Sequence, residues 1–510
     1  MTGIAADAAS TTLALSLVSH TNVGKTTLAR TLLRRDIGEV RDAAHVTRRA
    51  EPYLLAESAA GDRLQLWDTP GFGDSVRLAR RLAQAGNPVG WFLTEVWDRF
   101  RDRAFWSAQH AVRNVLEQAD VVLYLVNASE APGDAGYLDA ELQVLTLVGK
   151  PVLVLLNQLG RPQPAAGEAA EIERWRERCA GSPCVREVLA LDAFARCWVQ
   201  EDALLEAVGR LLPEAKQAAS ARLRQAWQAR GRATWQAAML LLAERLARAA
   251  VDREVLPPAG LGGRLREVGA ALGLRHEGIA TPREQAMQAL AERLDAELRA
   301  GTDRLIALHG LEGRAAAAVL ARLAEHYTVQ EPLNEGKAAV WGGALTGALA
   351  GLKADLLSGG LTLGGGLLAG GVLGALGAAG LARGYNLVRG VEAPSLAWSR
   401  EVLDELVHSA LLEYLAVAHY GRGRGDWAEA EHPAHWQDSV KAVVAERQAG
   451  LQEIWQSAAA PLPAGGPALA ARLVPPLQTW LEDASRDLLR RLYPQTPERL
   501  FEGDGVGCVT

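Results

Sequence analysis

Residues 13–33 read LALSLVSHTNVGKTTLARTLL, and this stretch decides the fold. Leu13 to Ser19 is an apolar run of the kind that forms a strand buried on both faces. His20-Thr21-Asn22-Val23-Gly24-Lys25-Thr26-Thr27 then makes a loop, and the following LARTLLRR is helix-forming. A strand, a glycine-containing loop and a helix in that order turn backbone N–H groups toward an anion at a helix N-terminus. Lys25 would add a point charge for phosphates, and the Thr26 hydroxyl a ligand for Mg²⁺. The pattern GxxxxGK[ST] is met except at its first position, where Ser19 stands in place of Gly and takes positive φ less cheaply.

Working outward, Arg63 to Trp67 alternates like a strand and ends in Asp68-Thr69-Pro70-Gly71. An acidic residue there suits a Mg²⁺ contact, and the Gly71 amide could sense a terminal phosphate. Between the two motifs lies a polar stretch, Gly38 to Glu51, in which Thr47 is placed to close over the metal as a switch segment; an ordinary loop threonine is the competing reading. Two further short strands, Val121 to Val126 and Val152 to Leu156, are typical of a doubly wound parallel sheet, and the second runs into Asn157-Gln158-Leu159-Gly160.

The order SHTNVGKT, HVTR, DTPG and NQLG resembles translation-factor-related GTPases of the Era, EngA and TrmE type, in the subset that carries an uncharacterised C-terminal domain. The resemblance covers roughly residues 10 to 210. It implies an α/β P-loop G domain with GTP and GDP as ligands, Mg²⁺ as cofactor, and Lys25, Thr26, Thr47, Asp68 and Gly71 in the phosphate, metal and switch roles. Asn22, Val23, Gly24, Lys25, Thr26 and Thr27 would line the nucleotide, with Asn157, Gln158, Asp192 and Ala193 at the base. Lys25, Asn22, Thr47 and Gly71 would serve hydrolysis, and Thr26, Thr47 and Asp68 the metal.

Two departures bear on mechanism. Family members usually carry Asn-Lys-x-Asp at the base end, and here Gly160 occupies the position of the guanine-reading acid, a loss on the order of 1.5 to 3 kcal/mol of discrimination. Leu189 to Phe194 resembles the closing base loop, with the Ala193 N–H facing the guanine and Asp192 compensating for the missing acid or else simply capping. The residue after Gly71 is Phe72, where Ras-like enzymes place a water-orienting Gln. In TrmE-type enzymes a loop Asn helps hold K⁺, and Asn22 stands at that position; slow turnover stimulated by K⁺ or by G-domain self-association is the implication. His20 borders the phosphates and reads as a packing residue before a catalytic one.

The remaining sequence suggests four segments. Residues 1–212 form the G domain with a helical insertion at 75–118, rich in Arg and containing Trp91, Phe92, Trp97, Phe100, Phe105 and Trp106. That insertion is either an effector surface or a packing seam. Residues 213–335 read as a helical bundle, 336–390 as a glycine-zipper hydrophobic hairpin, and 391–510 as a C-terminal helical region. Within the hairpin, Leu356 to Ala382 holds 27 residues without a charge and Ala338 to Leu352 holds 15. Gly343, Gly347, Gly351 and Gly366, Gly370, Gly374 recur every fourth position, letting helices approach closely. At ~1.5 Å per residue the longer piece could cross a ~30 Å bilayer core, with Trp341 and Tyr385 as interfacial anchors and Lys337 and Arg383 outside them. Membrane contact through 338–382 at the inner face of the cytoplasmic membrane is therefore expected, a tightly packed hairpin in a soluble protein being the alternative.

At 510 residues and a net charge of -6, the chain carries no general footprint for nucleic acid. Cys179, Cys184, Cys197 and Cys508 show no metal-site spacing and read as reduced thiols of a cytoplasmic protein. The N-terminus lacks the pattern of a cleaved leader. His432-Pro433-Ala434-His435 reads as a surface turn. The expectation is a switch GTPase coupled to a membrane-associated helical region, with a ribosome or RNA assembly GTPase, or a scaffold of negligible turnover, as alternatives.

Overall fold

The computed structural model describes residues 10–35, 37, 50–84, 103–159, 164–193, 197–256, 282–311, 385–389, 394–420, 434–458 and 466–502. The chain divides into two compact units: residues 1–234 with 418–433 and 489–510, and residues 235–417 with 434–488.

The first unit is built on a six-stranded sheet of β1 (Thr12–Ser19), β2 (Glu51–Glu57), β3 (Arg63–Asp68), β4 (Val121–Asn127), β5 (Val152–Asn157) and β6 (Val185–Ala190), in the order β2-β3-β1-β4-β5-β6. Only the β2–β3 pair is antiparallel. Register carries Leu17 beside Asp68, Ser19 beside Leu125 and Asn127 beside Asn157, so the C-terminal ends of β1, β3, β4 and β5 share one edge. That edge, where the order reverses around β1, is where open α/β sheets bind ligands. Among the described residues the strands are joined or followed by α1 (Lys25–Leu33), α2 (Ser75–Gln84), α3 (Arg103–Gln118), α4 (Leu138–Val148), α5 (Ala165–Cys179) and α6 (Trp198–Leu211).

Alternation along the strands sorts side chains into two cores. Val122, Tyr124 and Val126 of β4 pack with Leu78, Leu82, Phe105, Val112, Leu142 and Trp175 from α2 to α5. Val121, Leu123 and Leu125 face the other way, toward Leu28, Leu32, Leu204 and Val208 of α1 and α6. Phe105, read from the sequence as part of either an effector surface or a seam, is fully buried, with the guanidinium groups of Arg77 and Arg81 over its ring at 4.9 and 5.2 Å. It is a packing residue. Trp91, Phe92, Trp97 and Phe100 lie outside the described residues.

The turn from β2 to β3 is fastened to the next helix, α7 (Glu214–Val251). Arg222 donates from Nε and Nη2 to the two Asp62 oxygens at 2.7 and 3.0 Å, and Ser58 Oγ and the Thr11 N–H add bonds of 2.7 and 3.1 Å. The Arg222 contact holds the Asp62 carboxyl well below the usual carboxylate range. A depressed folded-state pKa stabilises above the unfolded value and loses that contribution as pH falls. Arg222→Met should therefore destabilise the unit at pH 7, and the gap from wild type should shrink below about pH 4; urea unfolding at pH 7 and pH 3 checks it.

The second unit is mainly helical: part of α7, then α8 (Pro282–Leu308), α9 (Arg400–Ala418), α10 (Ala434–Glu446), α11 (Gln448–Ala458) and most of α12 (Gly466–Leu492). Its core holds a buried ion pair, Arg245 with Glu413 at 2.5 and 3.1 Å, the carboxylate also accepting from Thr302 Oγ1 at 2.7 Å. Buried charges need such partners. One element departs from the sequence reading. A three-stranded antiparallel sheet of β7 (Arg253–Val255), β8 (Tyr385–Arg389) and β9 (Pro394–Trp398), ordered β7-β9-β8, interrupts stretches expected to be helical. Tyr385, expected as a membrane-interface anchor, is the first residue of β8 and pairs in register with Trp398. Among the described residues no helix is long and apolar enough to cross a membrane. The segment 338–382, with Trp341, Lys337, Arg383 and the glycine repeats, lies outside the described residues, as do Cys508 and His432.

Candidate nucleotide site

The phosphate end begins where β1 stops. The Phe72 N–H donates to the Ser19 carbonyl at 2.9 Å, and His20 and Phe72 form a parallel bridge that prolongs the β1–β3 pairing by one step. The chain then turns back through two left-handed residues, Asn22 at φ 65° and Gly24 at φ 97°, and α1 starts at Lys25. Gly24 is required twice over: its φ favours glycine, and a Cβ there would stand 2.7 Å from Asn157 Nδ2. The N-cap residue, Gly24, has no side chain to cap α1, and a helix N-terminus of this kind points its first-turn amides toward an anion. Val23 and Thr27 are buried beside this turn, and Asn22 is exposed.

Lys25 is buried, and its Nζ donates to Ser19 Oγ at 2.9 Å and to the His20 carbonyl at 3.4 Å. Burial pushes the ammonium pKa down, while the carboxylates of Asp68 and then Glu141 oppose that shift. Ser19 thus has a role that its deviation from the motif concealed: its hydroxyl is the resting partner of the loop lysine. The concern over positive φ falls away, because the non-glycine residues with positive φ are Asn22, Arg34 and Gln158 among those described.

Thr26 Oγ1 donates to Asp68 Oδ2 at 2.6 Å across the β1–β3 edge. Asp68 is 3% exposed, and its second oxygen, Oδ1, is buried with no hydrogen-bond partner among the described residues. Burial is the largest cause of its carboxyl being pushed up to about 6, with Thr26 and Lys25 pulling the other way. A hydroxyl and a carboxylate side by side, with one oxygen lacking a partner, are the hard oxygen donors that Mg²⁺ takes. The two residues fit the metal. Thr47, the third metal ligand expected, lies outside the described residues.

Gly71 is buried against the loop: a Cβ there would fall 3.0 Å from Lys25 Nζ and 3.2 Å from Thr21 Cα. Thr69 Oγ1 anchors the same turn on the Leu17 carbonyl at 2.5 Å. Phe72 is fully buried in the core, so the position that holds a water-orienting Gln elsewhere is here a packing side chain.

At the base end, Asn157 is fully buried and bridges the two halves of the site. Its Nδ2 donates to the Val23 carbonyl at 2.6 Å, and its Oδ1 accepts from the Ala193 N–H at 2.8 Å. Thr31 Oγ1 holds the Ala193 carbonyl at 2.9 Å. Gln158 follows with φ 58° and is half-buried. Asp192 is 4% exposed, and its Oδ2 accepts from the Leu159 N–H at 2.9 Å. That bond ties together the two base-end loops and commits one carboxylate oxygen within the protein. Gly160 and Phe194 lie outside the described residues. A nearby carboxyl that sequence reasoning passed over, Glu168 in the first turn of α5, is pushed up to about 7 by burial and then by the charge of Asp192.

With the parallel sheet, the loop before α1 and the Thr26–Asp68 pair in place, the class is clear: residues 14–158 match the 50S ribosome-binding GTPase family, MMR_HSR1, and this part of the chain is a P-loop GTPase domain. Residues 185–464, more than half of the chain, match the domain of unknown function DUF3482. The chain belongs to the DUF3482 family. A crystal structure of an Aquifex aeolicus Era variant bound to GDP·AlF4⁻ is 20% identical with a TM-score of 0.30, covering 40% of this chain and 58% of that one. Era in complex with MgGDPNP and nucleotides 1506–1542 of 16S ribosomal RNA gives the same values. The chloroplast translocon components atToc33 and psToc159, in a structure concerned with dimerization and GTPase activity, give 15% identity and a TM-score of 0.22, over 37% of this chain and 72% of that one. The match thus spans 58% of the length of the Era chains. No curated protein shows significant sequence similarity to the chain.

Proposed function

We propose that the protein is a GTP-binding switch that hydrolyses GTP to GDP and phosphate, and that nucleotide state is relayed to the helical region. The observation that carries this reading is the meeting of Lys25, Thr26 and Asp68 at the end of β1, with a buried Asp68 oxygen that has no hydrogen-bond partner among the described residues. In this reading Lys25 leaves Ser19 Oγ for the β- and γ-phosphates, and the α1 amides bind phosphate oxygens. Thr26 and Asp68, with Thr47, hold Mg²⁺, which supplies Lewis-acid charge stabilisation at the phosphates when bound. Asn157 and Ala193 frame the base, with Gln158 over it. Asp192 positions the Leu159 backbone as its first duty, and reading of the guanine edge falls to what remains of the Asp192 and Ala193 loop.

Hydrolysis without a Gln after Gly71 needs positive charge from elsewhere. Asn22, exposed on the loop at φ 65°, is proposed to help hold K⁺ in that role. Turnover should be at least roughly tenfold faster in K⁺ than in Na⁺, the scale of one transition-state electrostatic contact, and Asn22→Ala should erase the difference. Phosphate-release rates in the two salts test it; full K⁺ stimulation in Asn22→Ala would remove Asn22 from the mechanism. Self-association of G domains is the other proposed source of stimulation.

The four-segment organisation set out from the sequence is proposed to serve this switch, with residues 338–382 making contact with the cytoplasmic membrane. Co-sedimentation with anionic lipid vesicles, with and without GTP, tests the membrane arm. A nucleotide-binding scaffold of negligible turnover is the second reading, favoured by the buried Phe72; it predicts GTP binding without phosphate release.

A further inference from the structure

Glu141 carries no motif, and it stands outside the nucleotide contacts described above. It occupies the first turn of α4, fully buried, with both oxygens engaged: Oε1 by His20 Nδ1 at 2.7 Å and Oε2 by the Tyr124 hydroxyl at 2.6 Å. The His20 ring also stacks on Tyr137, with centroids 4.5 Å apart and planes 16° from parallel. His20 is the first residue of the phosphate loop. Its carbonyl accepts from Lys25 Nζ, and its backbone bridges to Phe72 at the start of the segment after Gly71. One buried carboxylate therefore grips the residue on which the lysine and the post-β3 chain both rest. The helix that presents it is held in turn, because Arg178 of α5 clasps Asp139 at 2.7 and 3.0 Å.

We propose that Glu141 is a positioning residue for nucleotide binding, acting through His20 to hold the start of the phosphate loop; the inference rests on the GTP-binding reading. A buried carboxylate in this pocket costs desolvation, and burial pushes its pKa up against the bonds from His20 and Tyr124. Such a group is kept where its hydrogen bonds fix a geometry. With Glu141 ionised, Nδ1 of His20 carries the donated proton, which sets the tautomer of this half-buried ring. Without the grip, the loop would be ordered only at the expense of binding energy. Since neither Glu141 nor His20 is assigned a phosphate contact, that cost falls equally on GDP, GTP and the transition state. Loss of such uniform binding raises KM and spares kcat.

The test measures affinities of the full chain for fluorescently labelled GDP and GTP, together with steady-state phosphate release, in wild type, Glu141→Gln, His20→Ala and His20→Gln. Glu141→Gln and His20→Ala are expected to weaken both nucleotides and raise KM by roughly tenfold, with kcat within about twofold of wild type. His20→Gln, whose amide can still donate to Glu141, should recover most of what His20→Ala loses. A purely structural role would give no such recovery. Unchanged affinity in Glu141→Gln, a loss confined to kcat, or His20→Gln no better than His20→Ala overturns the proposal; should Glu141→Gln fail to fold, the two His20 variants decide it. A wild-type chain that binds neither nucleotide brings down the GTP-binding reading itself, whereas a binding wild type with indifferent variants defeats only the role of Glu141.

Discussion

Lys25→Ala is expected to weaken GTP binding by about a thousandfold, roughly 4 kcal/mol, the loss of one partner of a buried, hydrogen-bonded charge pair with phosphate. The geometry makes the loss steep. Lys25 Nζ is buried and rests on two neutral oxygens, Ser19 Oγ and the His20 carbonyl, which it can release without breaking an ion pair. Its charge is supported at a distance by Asp68 and Glu141. Removing it strips the phosphates of their point charge and leaves Asp68 without the cation that lowers its pKa, so the metal end should suffer too. Isothermal titration with GTP in Mg²⁺ checks this; a variant within about tenfold of wild type would show that backbone amides alone hold the phosphates.

Asn157→Ala is expected to be the most damaging change that touches no phosphate. The side chain satisfies the Val23 carbonyl and the Ala193 N–H, and both would be left buried without partners. At about 1–3 kcal/mol for each of the two orphaned groups, the stability loss should be on the order of 2–6 kcal/mol. Nucleotide affinity should fall with it, because Gly24 turns directly over Asn157 Nδ2 and the base loop is held at Ala193. Urea unfolding of the nucleotide-free chain and the thermal shift on adding GDP measure the two effects. Asn157→Asp, similar in shape, should do no better, since it sets a carboxylate against the Val23 carbonyl.

The parts of the molecule written locally in the chain were legible from it. Leu13 to Thr27 announces strand, loop and helix over a few adjacent residues, and β3 with Asp68 and β5 with Asn157 follow from short apolar runs that end in polar side chains. The strand ends share an edge because parallel pairing puts them there. What stayed hidden depends on contacts between distant residues. Glu141 looks like any acidic residue in the first turn of a helix, and its partner His20 is 121 positions away. The bond from the Leu159 N–H to Asp192 spans 33 positions, so a residue expected at the base also braces a loop. The small sheet of β7, β8 and β9 escaped notice because β7 has three residues and finds β9 only after some 140 intervening positions. Short strands among helix-forming neighbours carry too little periodicity to be seen.

Phe72 illustrates a substitution whose meaning is visible only in the fold. In the sequence it marks the absence of a catalytic Gln; in the structure it is a core residue whose backbone continues the β1–β3 pairing. That position therefore offers no side chain to align water, which is why the proposed turnover draws on an added cation or a second G domain.

The most direct measurement is phosphate release from GTP by the purified full chain in K⁺, with Mg²⁺ or with EDTA, beside Thr26→Ala. The expected result is slow, saturable release that requires Mg²⁺ and is lost in Thr26→Ala. GTP that is neither bound nor hydrolysed with Mg²⁺, or release that is indifferent to EDTA and to Thr26→Ala, would contradict a GTPase built on Lys25, Thr26 and Asp68.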